Sequence, residues 1–335
     1  SNNYLWLTSQ TEITQAAKDA IDTHGFGMSS VRFICGTQDI HKELENKISS
    51  FLGMEDTILY AAAFDANGGV FEPLFGPEDA IISDQLNHAS LIEGIKNSKA
   101  DCSIFRHNDL DHLEELLKTT DKDRPKIIVF ESLYSMDGTE TNVSDYVRLA
   151  KKYGALTYLD EVHAVGLYGE GGRGVAYKNG VSDEVDIING TLAKGFGQIG
   201  GYIVGDEIMI NFIKSFASGF IFTTSMMPSI AAASSKSISV VENLDEKRND
   251  IFEKASLIRR KLLEKDIPFV SSDSHIIPLL AYSTNRAKSF SRRLLEDHNI
   301  YIQPIFYPTV PKDSARLRIT VTPKHTEDDI NHLLY

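Results

Sequence analysis

The nine residues from Asn189 to Gly197, NGTLAKGFG, set one lysine, Lys194, among small residues, four positions after Gly190 and beside Gly195. Glycine on both sides is poor helix material, and it suits a tight turn that presents an amine to an aldehyde carbon. Thirty-four residues earlier, Asp160-Glu161-Val162-His163 closes the apolar run 155–159. Taken singly, Lys194 could be a surface lysine, Asp160 a strand-end cap and His163 a satisfied core histidine. Together, ahead of a glycine-rich loop, they read as a site. A lysine that condenses with an aldehyde, and an acid that holds a protonated pyridine nitrogen, are what pyridoxal phosphate needs from a protein. The carboxylate would keep the ring an electron sink for a carbanion at Cα, and the imidazole could hydrogen-bond the ring hydroxyl.

Other residue types suit the same chemistry. His88, in SDQLNHAS before a helical stretch, could stack on a flat ring or be a polar residue at a helix start. Ala62-Ala63-Phe64 opens AAAFDANGG and would offer backbone N–H groups at a helix N-terminus, a seat for phosphate. Thr191 could add a hydroxyl. Arg316 and Arg318, alternating along RLRIT, share one face of a short strand; they could clamp a carboxylate bidentately or form surface ion pairs. Two matches are set aside. Residues 169–174, GEGGRG, spell a dinucleotide fingerprint but do not run from strand into helix. Residues 160–163 spell the DExH box of nucleic-acid motors, without the upstream phosphate loop such ATPases need. His107 and His112 lack a metal-like cluster, so no metal centre is expected.

These residues must be carried by elements. Short β-branched runs at 57–60, 80–83, 103–106, 126–131, 156–160, 186–189 and 201–204 alternate with helical periodicity at 12–24, 41–52, 90–98, 110–118, 143–153 and 207–217. Asp109 and Ser144 suit caps or first-turn positions. That alternation predicts an α/β fold with a mainly parallel sheet covered on both faces. Five strand ends would converge: Ala62–Phe64, Asn87-His88, Ser132 with Ser135, Asp160 with His163, and Lys194. After about Pro228 the pattern changes to long helices at 228–243 and 245–265, strands at 276–282, 300–304 and 316–321, and a helix at 287–298. The expected domains are 1–230, large and cofactor-binding, and 231–335, smaller and α+β, with 229–245 as a hinge or linker. The chain has 335 residues and a formal net charge of −13, which argues against a nucleic-acid partner. No apolar run has the length to span a membrane. Cys35 and Cys102 suit a reducing compartment and read as buried small hydrophobes. The chain begins without Met inside a motif and reads as an excerpt whose N-terminal segment, with any targeting signal, lies upstream.

On SNNYL, GFGMSSVRFICGTQDIHKELE, SDQLNHAS, SMDG, DEVHAVGLYGEGGRG, NGTLAKGFG, GGYI, FIFTTS and RLRIT, in that order, the chain resembles the α-oxoamine synthases. These are fold-type I pyridoxal-phosphate enzymes that join an amino acid to an acyl-CoA with loss of CO₂. The resemblance runs from Ser1 to about Thr326. It implies Lys194 as the Schiff-base lysine, Asp160 on the ring nitrogen, His163 at the ring hydroxyl, His88 stacked on the ring and Ser135 near its edge. It implies Thr191 on the phosphate, with Thr223 and Thr224 reaching the phosphate of a neighbouring subunit in a homodimer. Asn2 and Arg318 would hold the amino-acid carboxylate.

Two branches of the family share the match, both using glycine. Residues 20–90, with SVRFICGTQ and FDANGG, are similar to the glycine C-acetyltransferases. Residues 90–326, with IFRHND, VFESLYSMDG, QPIFYPTVP and RLRITVTP, are similar to the 5-aminolevulinate synthases, which use succinyl-CoA. Val31 and Phe33 stand where the second branch usually has Thr and Asn, which suits acetyl. Thr309 matches the second branch, and length of match leans the same way. An arginine upstream of Ser1 would be needed for a succinyl carboxylate. Trp6 replaces the usual glycine after Asn-Tyr-Leu, and Ala62 and Ala63 replace hydroxyl or thiol positions of the phosphate cup; the mosaic of the two branches makes a chimaeric or designed sequence one reading. An aminotransferase or lyase of the same fold and a non-catalytic relative are the other readings. The expected place is the cytoplasm, or the mitochondrial matrix in a eukaryote.

Overall fold

A computed structural model describes residues 2–334. They form two units, one of residues 7–132 and 141–245, the other of residues 2–6, 133–140 and 246–334.

The larger unit opens with α1 (Thr11–His24) and α2 (Asp39–Leu52). Gln38 and His41 box the start of α2, and Gly53, at φ 75°, ends it in the left-handed conformation glycine adopts without strain. Then come β1 (Asp56–Tyr60), α3 (Ala63–Leu74), β2 (Ala80–Asp84), α4 (Ala89–Asn97), β3 (Asp101–Phe105), α5 (Leu110–Thr119), β4 (Lys126–Glu131), α6 (Val143–Tyr153) and β5 (Leu156–Asp160). Asp109 caps α5 through the His112 N–H at 2.9 Å. The single turn α7 (Val175–Lys178), β6 (Ile187–Thr191), β7 (Gly201–Gly205), α8 (Glu207–Phe216), α9 (Ser218–Ile221) and α10 (Pro228–Val241) complete the unit.

The seven strands lie in the order β1-β7-β6-β5-β4-β2-β3. β3, β2, β4, β5 and β6 are mutually parallel, while β7 runs antiparallel to β1 and β6. Central β4, KIIVFE, is buried throughout, as a strand covered on both faces must be. Ile58, Val70, Phe71, Ile81, Val129 and Ile203 belong to one apolar core between sheet and helices. Among the described residues no helix is long and apolar enough to cross a membrane.

Two expectations are corrected. Residues 229–245 are not a linker: α10 packs on α1 and α2 through small buried residues such as Ala231, Ala233 and Ser234, and the boundary falls after Asp245. Cys35 and Cys102 are exposed, Cys35 in a loop and Cys102 on edge strand β3. Trp6 has φ 58°, a conformation that costs a side chain about 1–2 kcal/mol and that explains glycine as the usual residue there.

In the smaller unit, α11 (Asp245–Glu264), α12 (Thr284–His298) and α13 (Glu327–Leu334) accompany β8 (Ile276–Tyr282), β9 (Gln303–Ile305) and β10 (Ala315–Thr320), which form an antiparallel sheet in the order β8-β10-β9. The strand expected at 300–304 is β9, displaced toward Ile305.

Candidate active site

β5 delivers Asp160 to the end of a parallel strand, and the carboxylate is buried. Its Oδ2 accepts from Asn67 Nδ2 at 3.0 Å and Asn189 Nδ2 at 2.9 Å, and its Oδ1 accepts from the Val162 N–H at 2.9 Å. Asn189 lies beside it because β5 and β6 are in register there. Three donors from three elements fix the carboxylate's direction.

Lys194 sits on the turn after β6. The turn is tight: a Cβ at Gly195 would stand 2.4 Å from the Val165 carbonyl oxygen, so only glycine fits. Thr191 braces the turn through its Oγ1, which accepts from the Ala193 N–H at 3.1 Å. The Lys194 Nζ lies 2.9 Å from Nε2 of buried His163. An amine, an imidazole and a pinned carboxylate thus share one end of the sheet.

His88 caps α4, its Nδ1 accepting from the Ser90 N–H at 3.2 Å and lying 2.7 Å from Ser90 Oγ. The residue as a whole is exposed, but this edge of the ring is turned into protein. Burial and, less, the nearby Lys194 ammonium hold its pKa below the ordinary imidazole range, against the Asp160 carboxylate, which raises it. Ser90 Oγ also receives Asn67 Nδ2 at 2.9 Å, and Asn67 Oδ1 accepts from Tyr158 OH at 2.6 Å. Gly94 permits this: a Cβ there would come 2.3 Å from the Asn67 carbonyl oxygen, so α4 reaches α3 only without one.

At the opposite side of the lysine turn, Gly201 pairs with Thr191, and a Cβ on Gly201 would stand 2.2 Å from the Ala63 nitrogen. Thr191 therefore neighbours the start of α3. There Ala62 makes no side-chain cap, so the first-turn N–H groups of Ala63 and Phe64 have no partner of the helix's own. Thr223 and Thr224 are exposed, and Thr224 bridges Val31. Phe33 is exposed as well.

Two carboxylates missed at the level of sequence stand close by. Glu131 Oε1 accepts from the His88 N–H at 2.6 Å; burial and the Asp160 charge push its pKa well up. Glu161 accepts from Ser132 Oγ at 2.8 Å and from the Val175 and Ala176 N–H groups at 3.1 and 2.8 Å, and burial raises it to about 7. Both lie in motifs already conspicuous in the sequence, but nothing local reveals their partners.

The smaller unit carries the arginines. Arg318 gives Nε to the Ser135 carbonyl at 2.7 Å, one terminal nitrogen to Asn2 Oδ1 at 3.2 Å and the other to Tyr4 OH at 3.0 Å. Arg316 gives a terminal nitrogen to the Met136 carbonyl at 3.0 Å. Both face the 133–140 turn, as alternation along one strand requires. Thr309 is exposed in this unit.

The family model for class I and II aminotransferases matches residues 1–335. The chain is similar to 5-aminolevulinate synthase of Rickettsia bellii, 44% identical over 99% of this chain and 81% of that protein. It is equally similar to 2-amino-3-ketobutyrate coenzyme A ligase of Escherichia coli, at 43% over 98% and 83%. Among solved structures, Sphingomonas wittichii serine palmitoyltransferase matches with a TM-score of 0.96 and 29% identity, over 100% of this chain and 84% of that one. The amine, the gripped carboxylate and the uncapped helix start fit pyridoxal phosphate, the cofactor of this family. The chain therefore belongs to the class I and II aminotransferase family and, within it, to the α-oxoamine synthases, pyridoxal-phosphate-dependent acyltransferases.

Proposed function

We propose that the chain condenses glycine with succinyl-CoA, releasing CO₂ and coenzyme A and forming 5-aminolevulinate. One observation carries the reading: the Lys194 amine stands 2.9 Å from His163 Nε2, at the end of the sheet where Asp160 is gripped by three donors. Pyridoxal phosphate, when bound, supplies an electron sink for charge developing at the amino acid's Cα. In this reading Lys194 would hold it through its amine and would take up the Cα proton of bound glycine. Asp160 keeps a proton on the ring nitrogen, His163 orients the ring hydroxyl, His88 covers a ring face and Ser135 its edge. The N–H groups of Ala62, Ala63 and Phe64 and the Thr191 hydroxyl hold the phosphate. Thr223 and Thr224 reach the phosphate bound by the neighbouring subunit of a homodimer, a role supported by their exposure beside Phe222, which is 80% exposed. Asn2 and Arg318 hold the amino-acid carboxylate.

The choice of acyl donor rests on Thr309 against Val31 and Phe33. Thr309 offers a hydroxyl to a succinyl carboxylate, worth about 1.5–3 kcal/mol to a charged partner. Apolar Val31 and Phe33 favour the second reading, acetyl-CoA as donor, and the two kinds of relative match about equally. The exposed thiols of Cys35 and Cys102 suit a reducing compartment, the cytoplasm or a mitochondrial matrix. The test is borohydride reduction of the yellow protein followed by peptide mapping, then turnover of glycine with each acyl-CoA. Label on Lys194 and faster succinyl-CoA turnover are expected. Label elsewhere refutes the lysine's role, and faster acetyl-CoA turnover reverses the donor.

A further inference from the structure

Asn67 is 1% exposed in α3, and its amide is spent completely. Its Oδ1 accepts from Tyr158 OH; burial raises that phenol's pKa, so the hydroxyl keeps its hydrogen and donates. Both Nδ2 hydrogens are then directed, one to Asp160 Oδ2 and one to Ser90 Oγ. Ser90 Oγ accepts from Asn67, which leaves its own hydrogen free to donate to the remaining neighbour, His88 Nδ1 at 2.7 Å. The Ser90 N–H points at the same nitrogen. Two donors on Nδ1 require a lone pair there.

We infer that Asn67 is a positioning residue that orders the hydrogens from Tyr158 to His88 and fixes the His88 ring as the neutral tautomer with its proton on Nε2. The inference rests on the reading in which His88 covers the cofactor ring, and it gives that residue a defined charge. A neutral imidazole can lie flat on a protonated pyridine; an imidazolium would oppose it. The charged groups around His88 agree on balance. Burial, above all, disfavours a second proton, Asp160 at the end of β5 favours one, Lys194 from the turn after β6 disfavours it, and Glu131 of β4 is engaged by the His88 N–H.

Asn67→Asp breaks the order. An aspartate has no N–H for Ser90. Its carboxylate, beside that of Asp160, accepts the Ser90 hydrogen, so His88 Nδ1 loses the Ser90 hydroxyl as a donor and keeps only the Ser90 N–H, which weakens the preference for the Nε2 tautomer.

The experiment is long-range ¹H–¹⁵N correlation on ¹⁵N-histidine-labelled full chain, with and without pyridoxal phosphate, with His88 assigned by His88→Gln. In the wild-type chain Nδ1 is expected at the shift of a bare ring nitrogen and Nε2 at that of a protonated one, through neutral pH. In Asn67→Asp a share of the Nδ1-protonated tautomer appears and the His88 pKa rises by about one unit or more. Cofactor affinity falls at least about tenfold. Should Asn67→Asp fail to fold, Asn67→Ala and Ser90→Ala are read the same way, with a mixture of tautomers expected. A wild-type ring protonated on Nδ1, or a tautomer indifferent to all three variants, overturns the inference. A wild-type chain that takes up no cofactor on Lys194 refutes the functional reading instead, and the tautomer measured on that same chain still decides the role of Asn67.

Discussion

Glu161→Gln is the perturbation whose size the structure sets most clearly. Glu161 is 1% exposed, and its carboxyl clasps the glycine-rich loop to the end of β4 through Ser132, Val175 and Ala176. A Cβ on Gly174 would stand 2.9 Å from that carboxyl, so the fit is close. The loop matters because Gly166 abuts Gly195, next to Lys194. Burial, then partly offset by the three donors and reinforced by Asp160, raises the carboxyl from 4.5 to about 7. The folded chain therefore holds this proton more tightly than the unfolded chain. The stability it contributes is full below about pH 4.5 and is lost as pH rises through about 7. At about 1.4 kcal/mol per pH unit the loss is roughly 3 kcal/mol. Glutamine cannot titrate, and other groups cancel in the comparison. Urea unfolding of both proteins from about pH 5 to about pH 8 should show wild-type stability falling relative to the variant by most of that amount. Parallel curves across the range would refute the reasoning about the buried clasp.

Asp160→Asn leaves either Val162 or the Asn67–Asn189 pair facing an N–H instead of an oxygen. Cofactor affinity should fall by at least about tenfold, roughly 1.4 kcal/mol, measured by equilibrium dialysis; unchanged affinity would remove Asp160 from the ring nitrogen. Gly195→Ala drives a Cβ into the Val165 carbonyl. It should cost about 1–3 kcal/mol in urea unfolding and slow covalent uptake of cofactor; a neutral result would mean that the lysine turn tolerates displacement.

Much of this was legible in the sequence where chemistry is local. The strand runs, the lysine turn and Asp160–His163 announce themselves by composition and spacing. The beginning of α3 was legible, but its length was not: Gly68, Gly69 and Pro73 weaken its pattern, and packing of α3 on α4 carries it. The helix expected at 228–243 is α10, but the hinge or linker expected at 229–245 is not there, since the small residues of α10 are what a close helix contact selects. The roles of Asn67, Ser90, Glu131 and Glu161 depend on partners tens of residues away, so no window of sequence contains them. The exposure of Cys102 follows from the place of β3 at the sheet edge, which strand alternation does not determine.

The most direct test of the central claim follows the carboxylate of glycine. The full chain, loaded with pyridoxal phosphate, is given carboxyl-labelled glycine and either succinyl-CoA or acetyl-CoA, and labelled CO₂ and free thiol are counted together with the amino ketone formed. With succinyl-CoA, equal amounts of CO₂, thiol and ketone are expected, with thiol release faster than from acetyl-CoA, and none of the three from Lys194→Ala. Transfer of the amino group with the labelled carboxylate retained, or thiol released from succinyl-CoA without CO₂, would contradict the claim.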